Sequence, residues 1–283
     1  MIERAPSDTF IGETRRSVRT VLTVSKTELR RHGRSPRTVG TVLSVIGICT
    51  LLAFNIVRLR EFRRSFMRTT NNFQISATEY DILYVFLARD PLIALFLVSF
   101  AVLVGANAIA GTRENGTGRT LQSLPFDRRG VFVGIVLSRV AVVAVVAAAV
   151  VGLTFGRAHQ QGYAPSIRML VLFLPVLVIH LAAFVSIGSA LSTLRWRRGA
   201  IHSVALLVAI GLSTLYVPLS RLAPEAAVLA PRQAFYGLVA SLHGGWNVLS
   251  GVSTRAAVAA HLVLLVAPFL YGLYRYERCD LTT

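Results

Sequence analysis

Lysine is almost missing from this chain: Lys26 is the single one among thirty basic residues, the rest being arginine. It sits in Val24-Ser25-Lys26-Thr27 without flanking glycines, so the GxxxxGK[ST] loop that cradles nucleotide phosphates is absent. Neither an HExxH zinc motif nor a GxSxG nucleophile elbow occurs, and there is no GxGD protease motif. The chain is therefore not expected to be an enzyme, and no catalytic, cofactor-binding or metal-binding residue is assigned. Cysteine is as scarce. Cys49 and Cys279 make no disulfide framework and read as incidental small residues. Carboxylates are few, thirteen in all, and none lies within an apolar run; the nearest is Asp90, just before Pro91. Carriers driven by proton or sodium gradients keep a carboxylate at membrane depth, so an ion gradient is a poor candidate for the energy source.

What is abundant is apolar surface. Hydrophobic residues make up 54% of the 283 and charged ones only 15%, far from a water-soluble composition. They gather in six runs, about 39–57, 92–110, 136–155, 169–191, 200–217 and 256–274. Each is near the ~20 residues that a helix needs to cross a hydrocarbon core. The expected fold is all-α, a six-span polytopic membrane protein. Residues 1–37 form a basic tail, and 38–283 form one six-span domain in the lipid bilayer. The tail lacks a short apolar stretch ending in a cleavage site, so no cleaved signal peptide is expected. Nineteen basic residues fall on the side shared by the termini and eleven on the other. The positive-inside rule then places both termini in the cytoplasm, in the plasma membrane. The net charge of +17 fits anionic headgroups, and no aromatic-interleaved basic module points to nucleic acid as a partner.

Within the tail, Val18, Val21, Leu22, Ser25 and Leu29 recur at helical spacing among Arg15, Arg16, Arg19, Lys26 and Arg30. This predicts a basic amphipathic elbow helix in the inner headgroup layer. Gly33, Pro36 and Arg37 then turn the chain into span one. On the outer side, 58–90 is polar and basic, with a helical piece expected near Tyr80–Leu87. Residues 234–254 bear no Asp, Glu, Lys or Arg and are expected at, or dipping into, the outer interface. His180, His202 and His261 lie in or beside spans, where the simplest reading is a hydrogen bond to a neighbouring helix.

The most informative stretch is Gly105–Arg139. The second apolar span is expected to stop at Gly111. Glu114 and Gly116 follow, Thr117 is a candidate N-cap, and Arg119–Leu124 can form a turn and a half of helix. Pro125 ends it, and Arg128 and Arg129 face the water before the third span. Leu121, Leu124 and Phe126 make a small apolar plug of the kind that seats in a partner's groove. Glu114 and the arginines would set its orientation by charge.

In their order, Glu114, Gly116-Thr117, Leu121, Leu124-Pro125, Arg128 and Gly134 resemble the cytoplasmic coupling segment of type-2 ABC transporter permeases. Ile135 stands where that family commonly has lysine, Gly118 loosens the helix start, and Arg139 matches a basic residue often found a turn later. The basic segment Val24–Thr38 and the C-terminal Tyr276-Glu277-Arg278-Cys279-Asp280-Leu281 are similar to that family as well. Its members include the copper-maturation permease of nitrous-oxide reductase. The resemblance implies the permease subunit of an exporter, working with cytoplasmic ABC ATPase subunits and a second permease copy or paralogue. ATP and Mg would be bound by the ATPase partner, not by this chain. The alternative is a membrane scaffold or assembly subunit of the same fold that moves no cargo.

Overall fold

The computed structural model describes residues 6–58, 91–114, 116, 127–160, 167–214, 230–242 and 253–278. They are almost wholly helical, with no strand among the described residues. In chain order the helices are α1 (Pro6–Arg34), α2 (Pro36–Arg58), α3 (Pro91–Glu114), α4 (Arg128–Gln160), α5 (Ile167–Ser192), α6 (Arg198–Thr214), α7 (Pro231–Leu242) and α8 (Thr254–Arg278). Four of them, α3, α4, α5 and α8, are each long and apolar enough to cross a membrane. The lower half of α1 and most of α2 pass that test only together and are bent by 79° at the break. Helix α6 is shorter, at 17 residues, and 215–217 of the expected fifth span lie outside the described residues. The expected loop helix at Tyr80–Leu87 lies outside them too.

The α1–α2 corner follows from its residues. Pro36 opens α2, where its missing N–H costs nothing and its fixed φ already suits a helix. The carbonyl of Ser35 accepts from Val39 N at 3.0 Å, and Ser35 N donates to His32 O at 3.1 Å, which closes α1.

The centre of the bundle is the α3–α5 pair. A Cβ on Gly105 would stand 2.3 Å from the Val185 carbonyl oxygen, and one on Gly188 would stand 2.1 Å from that of Val102. Only glycine lets the two backbones approach this closely, a common solution where lipid supplies no hydrophobic drive between helices. Ser192 Oγ donates to Ser189 O at 2.6 Å and accepts from Ile109 N at 3.3 Å. Around this pair, α4 packs on α5 and α3, α8 on α5, and α6 on α3. Phe132 of α4 is fully buried, its ring 5.7 Å from Phe269 and 5.5 Å from Tyr276 of α8. Toward the outside, large apolar side chains stay uncovered, among them Leu207, Leu262, Val263 and Val171. That is the pattern of helices that face acyl chains rather than water.

Helix α7 starts at Pro231, ahead of the neutral segment expected from 234. At 12 residues it is too short to cross, yet it packs on α5 and α8. Its Phe235 stacks on His180 at 4.5 Å. His180 Nδ1 in turn lies 3.0 Å from His261 Nε2. The two span histidines therefore partner each other across α5 and α8.

Candidate functional site

The loop between α3 and α4 has both its roots tied into the bundle. Helix α3 runs one turn past Gly111, because Thr112 and Arg113 continue its hydrogen bonding and Thr112 Oγ1 donates back to Ile109 O at 2.8 Å. It ends at Glu114. Gly116 N then donates to Arg113 O at 3.2 Å with Gly116 at φ 69°, the left-handed position that glycine takes without a Cβ clash.

Arg113 reaches across to the α5–α6 turn, donating from Nη1 to Leu194 O at 3.2 Å and from Nη2 to Trp196 O at 2.7 Å. Beside it, Glu114 faces Arg198, the first residue of α6, at 3.6 Å. The first root is thus pinned to the turn that joins α5 to α6.

The second root is pinned to the end of α8. Asp127 caps α4: its carboxylate oxygens accept from Arg129 N and Gly130 N, each at 3.3 Å. Arg128 Nη1 donates to Glu277 O at 3.1 Å, and Arg129 forms an ion pair with the Glu277 carboxylate. Both arginines are exposed at their heads, as expected.

The elbow helix α1 lies along the first three turns of α4. Gly130 and Gly134, four residues apart, form the contact, Gly130 facing Thr20 and Gly134 facing Val21 and Val24. A Cβ on Gly134 would stand 2.9 Å from Val21 O and 2.9 Å from Val24 Cβ. The face of α1 that packs is therefore Thr20, Val24 and Glu28, all buried. Val18, Leu22 and Leu29 of the stripe expected in the headgroup layer stay uncovered by the rest of the chain, and Val21 is half-buried at the seam.

One helical turn deeper, this contact carries an ion pair. Arg139, 3% exposed, donates from Nη2 to Glu28 Oε2 at 3.1 Å, and Glu28 is 4% exposed. Arg31 Nη1 stands 3.6 Å from the other oxygen. His32 Nδ1 lies 2.9 Å from Arg139 Nη1 and 2.7 Å from Glu28 O. A guanidinium only donates, so a neutral ring can accept from Arg139 or donate to the carbonyl, while a protonated ring would oppose Arg139. Burial, and then the Arg139 charge, hold the His32 pKa below its usual value.

Of the residues expected to carry coupling, Glu114, Gly116, Arg128 and Arg129 sit at these two roots. Thr117, Arg119, Leu121, Leu124, Pro125 and Phe126 lie outside the described residues. Sequence reasoning passed over Glu28, His32, Arg113, Asp127 and Arg198. Two of these carried a signal: Glu28 is the only carboxylate between Thr14 and Arg58, and Asp127 directly precedes a helix start.

The order of these features along the chain has a counterpart. A family model described as ABC-2 family transporter protein matches residues 22–281. The chain belongs to that family. As an ABC-2 family member it is a multi-pass membrane protein and a permease component of an ABC transporter. The match begins inside α1 and closes three residues past the α8 helix, so the C-terminal part of α1, both loop roots and the Glu277 anchor fall within it. No curated protein matches the chain.

Proposed function

We propose that this ABC-2 family permease is the membrane half of an exporter in the plasma membrane, with both termini cytoplasmic. A separate cytoplasmic ABC ATPase docks on the 113–129 segment, and a second permease copy or paralogue completes the pathway. ATP and Mg belong to the ATPase.

The observation that supports this most is the double anchoring of the α3–α4 loop. A load applied between Glu114 and Asp127 reaches α3 and α4 directly. It reaches the α5–α6 turn through Arg113 and Arg198, and α8 through Glu277. A loop that merely joined two spans would need neither set of ties. ATP-driven closure of the ATPases thus has a rigid route to five helices, which is what a population shift between inward and outward states requires.

The test is purification in mild detergent of the tagged chain, co-expressed with the ABC ATPase encoded nearest to it. Leu121→Arg is compared with wild type. The expected result is a near-stoichiometric ATPase on wild type that is lost from the variant, with membrane insertion unchanged. Equal ATPase on both would remove the docking assignment, and no ATPase on folded wild type would favour a scaffold.

A further inference from the structure

A cavity of about 220 Å³ opens at the same end of the bundle, between α1, the start of α2, the last turns of α3, and α4. It is polar, and its charge is lopsided. Arg31, Arg37, Arg139 and Arg198 line it, against the single lining carboxylate of Glu28. Even when Glu114, which faces Arg198 from outside the cavity, is added, four guanidinium groups oppose two carboxylates. The N-terminus of α2 contributes as well. Ser35, just before that helix, and Arg37 and Thr38 of its first turn line the wall, so the positive end of the helix dipole points the same way.

Three buried polar atoms of the wall are without a partner among the described residues. Arg139 is 3% exposed and uses both terminal nitrogens on α1, but its Nε has no partner among the described residues. Nε of Arg198 is likewise without one. Asn107 Oδ1, in the same wall, lacks a donor. A buried guanidinium N–H left without an acceptor is costly, so a native structure generally fills it. The missing partner must offer acceptors to at least two guanidinium groups and one hydroxyl to Asn107. A phosphate ester has that inventory: anionic oxygens in a tetrahedron that suits arginine, and either its own O–H or that of a neighbouring alcohol.

We infer that this cavity binds a phosphate monoester group between the elbow helix and the cytoplasmic ends of α3 and α4. Position favours an anionic lipid headgroup of the inner leaflet, because α1 and α2 meet here at the level where span gives way to water. A soluble phosphate has the same chemistry and is separated from the lipid by experiment. The inference goes beyond the transport reading and does not depend on an ATPase.

The full-length chain, purified in a neutral detergent, would be exposed to dioctanoyl phosphatidate, dioctanoyl phosphatidylcholine or inorganic phosphate. Bound ligand is counted by native mass spectrometry, with thermal unfolding followed in parallel. Arg37→Gln and Arg198→Gln are the variants, since both side chains reach the cavity from its more open rim and leave the Arg139–Glu28 pair intact. Retained elution profile and helical circular dichroism confirm that they fold.

Expected for wild type is one phosphatidate per chain, a higher unfolding temperature, and no such effect of phosphatidylcholine. Binding should fall about tenfold or more in the double variant, the loss expected for two charge-assisted hydrogen bonds. A matching shift with inorganic phosphate would keep the site and assign it to soluble phosphate. Equal binding of phosphatidate to wild type and the folded double variant would overturn the proposal, as would no binding of either anion.

Discussion

Arg139 of α4 and Glu28 of the elbow helix, 111 residues apart in sequence, meet at 3.1 Å with both side chains almost wholly buried. This is the one place where the described part of the chain encloses a carboxylate, and the carboxylate comes from outside the apolar runs. Two charges removed from water stabilise little by themselves, but each is costly without the other.

That asymmetry gives a first prediction. Glu28→Leu alone leaves Arg139 buried without its carboxylate and should destabilise by about 3–5 kcal/mol; Arg139→Met alone, which leaves Glu28 its longer contact with Arg31, should destabilise by less. The double variant should recover most of the loss. Thermal unfolding of the four proteins in one detergent, read as a double-mutant cycle, checks it. Additive losses would mean that the pair does not hold α1 to α4.

Glycine at the central contact makes a second case. A side chain at Gly188 would meet the backbone carbonyl of Val102 at 2.1 Å, and a backbone cannot rotate aside as a side chain can. Gly188→Val should therefore cost more than the ~1–3 kcal/mol usual for overpacking and abolish folded yield. Gly152→Ala is the control, since nothing lies within 4 Å of its added carbon. Monodisperse protein recovered per unit of membrane is the readout.

Glu277 separates stability from coupling. Its ion pair with Arg129 is largely exposed, so Glu277→Ala should shift unfolding by less than about 1 kcal/mol. If the α8 anchor carries motion from the loop, the same variant should raise the ATP hydrolysed per cargo moved. Unchanged stoichiometry in reconstituted vesicles would show that the anchor is only a tether.

His32 supplies a pH dependence. The charged or titratable groups around it are Glu28 and Arg31 on its own helix and Arg139 from α4, with Arg37 and Arg198 across the cavity. Burial and the Arg139 charge hold its folded pKa below the usual 6.5, so its contribution is fully present above that pH. As pH falls, the unfolded state takes up a proton before the folded one, and the contribution is lost through the folded pKa. Hydrogen-exchange protection of 17–34, with rates corrected for the intrinsic pH dependence of amide exchange, should therefore fall as pH drops below about 6.5, less so in His32→Gln. An identical pH profile in both proteins would count against the assignment.

The sequence alone determined that the chain is helical and built for a membrane, because span length and the gathering of apolar residues follow from bilayer thickness. Order along the chain was legible for the same local reason. Pro36 marked the corner after the elbow, since a proline's effect on the backbone reaches only a turn. The family was legible in the run from Glu114 to Gly134, where residue order carries the information. Local signals failed where the outcome depended on a neighbour. Periodicity put Val18, Leu22 and Leu29 on one apolar stripe of α1, but it could not show that Gly130 and Gly134 open a groove for Thr20, Val24 and Glu28. Nothing near Arg113 in sequence shows that its partners are Leu194 and Trp196. Nor does anything around His180 point to His261. Those pairings are tertiary because a helix fixes only which side chains share a face. Which face meets which is settled by how closely two backbones can approach, and that is known only once both are in place.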